Sequence, residues 1–459
     1  MNYLKANMQS DIDDIEEDWP SARYSWYVVG ILLIAFTVSF VDRHILTLMN
    51  QPIRADLGLT DTQFSLLVGA AFSLFYTIMG VPIARMADRK SRKIIIIVGI
   101  SIWCTMTTLC GLARSFWLLF FARMGVGVGE AALSPSAYSI ISDYFPPQRL
   151  GRAISVYAMG VYLGAGLAMI AGSLIIGLLN EIPEVTLPIV GTFNSWQLTF
   201  FAVGIPGLLL IPLMYTVKEP VRRGLAVTKG RRIAEKQVSL PELFAFLRTN
   251  IRTFGAIFLG FALIGIASIG YMVWTPEFIR RTYGWSISDA GFIYGVFLIF
   301  FGGAGVFCGG ALADYLVRRG HKDAALRASV YCVCLKVPCV ILAPLMPSVF
   351  LGISMLGLAV FTLALTQGLA PTAIQLITPN QMRAQVIAVY FLIANLLAIG
   401  LGPSLFALVT DYGFGYDGAL RYSLSIVSGV AACGGLALQY YGLRHYRESL
   451  KRAEEWVIK

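Results

Sequence analysis

Long uninterrupted apolar runs alternate with short polar stretches along this chain. A hydrocarbon core about 30 Å thick takes about 20 helical residues to cross. Twelve runs have about that length, at 26–50, 61–87, 94–112, 116–140, 148–180, 198–217, 252–281, 288–317, 326–345, 348–378, 382–411 and 420–446. Barrel strands alternate apolar and polar residues, whereas these runs are continuously apolar, so the pattern predicts helices. The fold class it predicts is an all-α membrane protein with twelve transmembrane helices.

Composition points the same way. Hydrophobic residues make up 57% of the 459 and charged residues 14%, against about 25% charged in soluble proteins. So few charges cover a surface only where lipid replaces water. The seven cysteines all fall inside apolar runs, which excludes a secreted disulfide module and fits small core residues better than metal ligands. Asp11, Asp13, Asp14, Glu16, Glu17 and Asp18 precede the first run. They are the opposite of a basic leader, so no cleavable signal is expected.

The net charge of +10 is explained by where the basic residues sit. With the N-terminus inside, the outer loops hold only Arg54, Arg114, Arg280, Arg281 and Arg421, and the membrane holds Arg43, Arg123 and Lys336. All other Lys and Arg lie on inner loops and tails. This positive-inside asymmetry places both termini in the cytoplasm of a multi-pass inner-membrane protein, and nucleic acid is not an expected partner. The longest hydrophilic stretch divides the chain into a cytoplasmic tail 1–25, a six-helix bundle 26–217, a cytoplasmic linker 218–251, a second six-helix bundle 252–446 and a tail 447–459. A repeat supports the division. Ala84 to Lys93 reads ARMADRKSRK and Gly310 to Arg319 reads GALADYLVRR, so Asp88 and Asp314 are equivalent positions. Pro146-Pro147-Gln148 leading to Val156-Tyr157 is echoed by Pro379-Asn380-Gln381 leading to Val389-Tyr390. Two pseudo-symmetric six-helix bundles of this kind are a transporter architecture.

Gly80 to Lys93 resembles the signature of the loop between helices two and three in the major facilitator superfamily. Asp88, Arg89, Arg92 and Lys93 match it, while Ala84 and Ser91 stand where the pattern has glycine. Such an Asp and basic cluster serves as a conformational latch, pairing with the neighbouring bundle in one state. Asp314, Arg318 and Arg319 form its counterpart. The simpler reading of both is a basic loop that only sets topology. Val41-Asp42-Arg43, the stretch Arg123 to Ala132, Asn50-Gln51-Pro52-Ile53 and Gly400 to Pro403 are similar to the Spinster branch of lipid transporters. That resemblance implies a lysophospholipid or sphingosine-phosphate class of substrate and proton coupling.

Ionisable groups inside a bilayer are costly and mark transport paths. At about 1.5 Å per residue, Asp42 lies roughly 24 Å along helix one and Arg123 roughly 10 Å along helix four, both in the outer half and within reach of each other. Arg123 and Glu130 share a helix face. Asp42, Arg43, Arg123 and Glu130 are therefore the candidate substrate and proton-coupling residues, and the alternative is a permanent ion pair joining helices one and four. Arg43 or Arg123 also suits an anionic head group. His44 adjoins the network as a neighbour that titrates near neutrality or simply hydrogen-bonds. Lys336 either snorkels to an interface or meets substrate. Glu277 either caps an outer gate or sits at the interface. Gly125, Gly127 and Gly129 provide close packing, and Gly265, Gly270 and Pro276 are expected to break helix seven.

The function expected is secondary active transport of an amphipathic lipid-like substrate by alternating access, coupled to protons. A small organic-anion carrier is the alternative. No Walker pattern is present, so ATP-driven pumping is not expected. Three histidines give no catalytic cluster, so the chain is read as no enzyme. No cofactor or metal is expected, and the bilayer, a small substrate and protons are its partners. Each chain contains both halves, so a monomer is expected.

Overall fold

The computed structural model describes residues 19–87, 90–145, 147–179, 184–187, 191–221, 227–228, 231–232, 240–379 and 382–457. Twelve spanning helices emerge where the apolar runs lie. They are α1 (Ala22–Leu48), α2 (Asp61–Ala87), α3 (Arg92–Cys110), α4 (Phe116–Tyr144), α5 (Pro147–Leu179), α6 (Ser195–Tyr215), α7 (Ile251–Tyr283), α8 (Ile287–Arg318), α9 (Ala324–Leu345), α10 (Val349–Leu376), α11 (Gln385–Phe414) and α12 (Asp417–Ala453). An even number of crossings returns the chain to the side on which it began, the terminal face; the opposite side is the far face.

Polar side chains set the helix starts. Thr60 and Gln63 form a capping box at α2, and Asn194 and Gln197 form one at α6. Ser91, Ser115, Ser286 and Ser348 accept from backbone N–H groups at the starts of α3, α4, α8 and α10. In lipid such caps matter more than in water, because a bare N–H finds no solvent partner. Gly284 ends α7 with φ 72°, a left-handed conformation that a Cβ would strain.

The first six helices pack among themselves, α1 on α5, α2 on α4, and α3 on α4 and α6. The last six repeat the plan, α7 on α11, α8 on α10, and α9 on α10 and α12. The halves meet along α5–α8, α2–α11 and α1–α7. Both larger seams set a glycine against a π-helical stretch. A Cβ on Gly166 of α5 would meet the Gly295 carbonyl of α8 at 2.7 Å, and one on Gly295 would meet the Gly166 carbonyl at 2.6 Å. Gly69 of α2 lies in the same way against the Ile399 carbonyl of α11. The widened turns Leu298–Gly302 and Leu396–Leu401 are the π stretches, a form common where helices serve function.

One expectation about helix continuity needs correction. Helix α7 runs unbroken from Ile251 to Tyr283 through Pro276, since neighbouring helices shelter the backbone group that proline frees. Gly270 serves packing instead, because a Cβ there would run into the Phe406 ring of α11. Short interruptions fall in α2 at Gly69, in α4 at Ala131–Ala132 and in α6 at Leu208–Leu209, and a longer one in α10 at Leu365–Gly368.

The α5–α8 seam gives a prediction. Gly295→Val forces backbone atoms apart and lowers stability by about 1–3 kcal/mol, read as a reduced melting temperature in detergent. Gly30→Ala, where an added Cβ has nothing within 4 Å, leaves it unchanged.

Candidate functional site

Helices α1 and α4 carry the four charged residues that sequence reading singled out, and the fold brings all four together. Arg43 Nη2 donates to Glu130 Oε2 at 2.6 Å. Arg123 Nη1 donates to the main-chain oxygen of Asp42 at 3.2 Å. Asp42 and Arg123 are fully buried and Glu130 nearly so, whereas the Arg43 side chain keeps 17% of its surface open. The pairing is crossed relative to simple expectation. Arg123 and Glu130 share a helix, but Glu130 pairs with Arg43 on the neighbouring one.

The cluster holds more hydrogen-bonding capacity than it uses. The Thr107 hydroxyl of α3 lies beside the Asp42 carboxylate without a well-aligned bond to either oxygen, and Arg123 Nε and Nη2 and Glu130 Oε1 have no partner. Aromatic rings provide part of the environment instead. The Arg43 guanidinium lies 4.4 Å from the Phe72 ring centroid, 4.9 Å from Phe40 and 5.4 Å from Tyr76, and Arg123 lies 5.7 Å from Phe72. His44 stacks on Phe40 at 5.6 Å, and both its ring nitrogens lack partners. Fully ionised, the four residues balance in charge.

The far face holds a second charge network, and this one crosses between the halves. Arg281 of α7 grips Asp61 at the start of α2 with two bonds, Nη1 to Oδ2 at 2.6 Å and Nη2 to Oδ1 at 2.8 Å. Its Nε donates to Glu277 at 2.5 Å, and Arg280 donates to Glu277 at 2.6 and 2.9 Å. Arg54 reaches Asp61 at 2.7 Å. Beside them the Thr62 backbone and hydroxyl both donate to Asp411 of α11 at 2.7 Å, and Ser65 bonds Ser404 beneath. Asp61 is fully buried and Glu277 is 1% exposed. Glu277 thus belongs to an inter-half seal and not to an exposed interface. Sequence reading missed Asp61. Its one signal was its place behind the Thr60 cap, which says nothing of a partner 220 residues away.

At the terminal face the latch residues stay within the first half. Arg92 pairs with Asp143 of α4, and its Nε bonds Glu219 at 2.8 Å just beyond α6. The Lys93 backbone donates to Glu219 at 2.9 Å, and its Nζ to the Tyr215 carbonyl at 2.7 Å. Burial opposes charge on Glu219, but bonds from Lys93 N–H, Arg92 and Ser91 outweigh it and hold the carboxyl below the usual carboxylate range. This stabilisation is present above the unfolded value and is lost only as pH falls through the lowered one, so Glu219 is no neutral-pH switch. Asp314, Arg318 and Arg319 are exposed, with Arg319 over the Tyr315 ring at 4.6 Å. Asp88, Arg89, Pro146, Asn380 and Gln381 lie outside the described residues. Lys336 does not snorkel. It is fully buried, and its Nζ donates to Thr366 Oγ1 of α10 at 2.9 Å.

Twelve spanning helices in two matching halves, with charges buried between them, define a membrane transport protein. Residues 31–403 match the model of the Major Facilitator Superfamily, and the chain belongs to that family. A solved bacterial homolog of the human lysosomal transporter Spinster, inward-facing and unoccupied, superimposes with a TM-score of 0.74 at 28% identity, covering 94% of this chain and 98% of that one. An MFS-type efflux pump of Mycolicibacterium smegmatis is 27% identical across 97% of this chain and 99% of its own length. A probable L-galactonate transporter of Escherichia coli is 23% identical across 89% and 87%.

The far-face seal is testable. Arg281→Gln leaves Asp61 and Glu277 with fewer partners and weakens closure by about 2–5 kcal/mol. In a background whose native cysteines are replaced by alanine, Ser65→Cys is then labelled faster by an impermeant maleimide added at the far face. Arg281→Lys, which keeps a cation between Asp61 and Glu277, restores most of the slow labelling.

Proposed function

We propose that the protein is a secondary active transporter that moves an amphipathic, lipid-like anion of the lysophospholipid or sphingosine-phosphate class by alternating access, and that protons exchanged at the Asp42, Arg43, Arg123 and Glu130 cluster drive the change of state. The observation that carries the reading is the Asp42 carboxylate, fully buried with the Thr107 hydroxyl beside it, while the buried Arg123 bonds its main-chain oxygen instead. A purely structural ion pair would satisfy its acceptors. Arg43, partly open and ringed by Phe40, Phe72 and Tyr76, is the group that meets an anionic head. In the second half, among the described residues, Lys336 and the far-face group supply the buried charge within the spans, leaving an apolar wall for an acyl chain.

The asymmetry of Lys and Arg favours a cytoplasmic terminal face in an inner-membrane protein. In that orientation the sealed far face is the outer one and the conformation described faces inward. Arg92 and Lys93, held here by Asp143, Glu219 and Tyr215, turn to the other half when the molecule faces outward, together with Asp88, Arg89, Asp314, Arg318 and Arg319. One chain holds both halves, and the monomer is the working unit. A second reading is a small organic-anion carrier, favoured by the resemblance to the probable L-galactonate transporter and by the arginine pair.

Purified protein in liposomes, given radiolabelled lysophosphatidate or galactonate with and without a pH gradient, separates the two. Lysolipid movement accelerated by the gradient is expected. Movement of galactonate alone selects the second reading. In the same assay Asp42→Asn and Glu130→Gln slow transport and flatten its pH dependence. Wild-type rates and profiles in both variants would remove the coupling role.

A further inference from the structure

Lys336 is the one buried cation that the proposed cycle leaves without a task. It stands in the middle of α9, and among the described residues it has no carboxylate partner. A lone ammonium in the bilayer interior needs some compensation, and what it has is position. Its bond goes to Thr366, inside the break of α10. The first segment of that helix ends at Ala364, the chain turns through Leu365–Gly368, and a second segment runs Leu369–Leu376 toward the terminal face. Gly368 takes φ 82°, which closes the continuous helix to ordinary side chains. Gln367 N–H bonds back to the Ala364 carbonyl at 3.0 Å, leaving other carbonyls of the last turn without the usual partner. The ammonium therefore sits at the negative end of the half-helix Val349–Ala364.

The first half repeats the arrangement. The offset that carries Tyr157 onto Tyr390 carries Ala131–Ala132 of α4 onto Ala364–Leu365 of α10. Helix α4 is interrupted there by one tightened right-handed turn, with Glu130 as the last residue of its first segment, and resumes as Leu133–Tyr144. Each half thus has a helix broken at the same place with a buried charged residue at the break, Glu130 held by Arg43 in one and Lys336 holding Thr366 in the other. Glycines of α8 press against the second break. A Cβ on Gly309 would collide with the Leu365 carbonyl, and one on Gly305 with the Phe361 carbonyl. The segments beyond the two breaks, Leu133–Tyr144 and Leu369–Leu376, find their main packing partners in their own halves.

We infer that Lys336 is a positioning residue for the transport cycle. Through Thr366 and the half-helix end it fixes the break of α10 so that Leu369–Leu376 swings as a unit and meets Leu133–Tyr144 when the terminal face closes. This rests on the alternating-access reading.

Spin labels at exposed Ser142 and Gln375, in an otherwise cysteine-free chain in liposomes, read the terminal-face separation with and without lysophosphatidate across a pH series. The wild type shows a short-distance population that grows under one of these conditions. Lys336→Met cuts that population roughly tenfold and Lys336→Arg restores it. Thr366→Val, which deletes only the acceptor, moves it the same way. The far-face labelling of Ser65→Cys in the resting state stays unchanged, a result that general loosening of the fold would not give. Wild-type populations in both Lys336→Met and Thr366→Val would overturn the inference while leaving alternating access intact. A wild type whose distance never changes would overturn both.

Discussion

An ionised group in hydrocarbon must find its compensation inside the protein, and that constraint governs the architecture. Two acids and two arginines on α1 and α4 force these helices to face one another. Their polar tips have no lipid-facing alternative, so α2 must cover them with Phe72 and Tyr76. The cover is incomplete in a specific way. The Arg43–Glu130 pair is satisfied on one side, while the Asp42 carboxylate is buried beside the Thr107 hydroxyl, with Arg123 bonded to its main-chain oxygen.

The two halves are joined by charge on one face and by close backbone packing along the middle. On the far face Asp61 and Arg281 join the halves through a bidentate bond backed by Glu277 and Arg54. Along the middle, glycine against π-helical backbone lets α5 and α8, and α2 and α11, touch closely enough to act as bearings. On the terminal face the ionic contacts of Arg92 and Lys93 stay within one half. Among the described residues, one face carries ionic contacts across the interface and the other carries them within one half. That difference supports the proposed alternating-access reading.

Much of this was legible in the chain. The spans follow from run length alone, since about 20 apolar residues have few other uses. The meeting of Asp42 with Arg123 follows from counting rise along two antiparallel helices. What escaped was long-range pairing and local backbone. Arg281 and Glu277 carry a local signal four residues apart, but Asp61 is visible only once α2 and α7 are placed side by side. Gly265, Gly270 and Pro276 suggested a broken α7, yet glycine in a membrane helix serves close packing as often as bending, and here Gly270 makes room for Phe406. The actual breaks in α4 and α10 have weak composition signals. Ala131–Ala132 looks helical, and only Gly368 marks the other. Lys336 stayed open between snorkelling and meeting substrate because its partner, Thr366, lies in the break that sequence did not announce.

The central claim, that Asp42 exchanges the proton that moves the bundles, is tested most directly by pH-difference infrared spectroscopy on the purified protein in lipid, with a fluorescent reporter of terminal-face opening followed on the same sample. The account predicts a protonated-carboxyl C=O band that appears and disappears in step with the reporter and is missing in Asp42→Asn. A band that persists unchanged in that variant, or a reporter that responds to pH without it, would contradict the account.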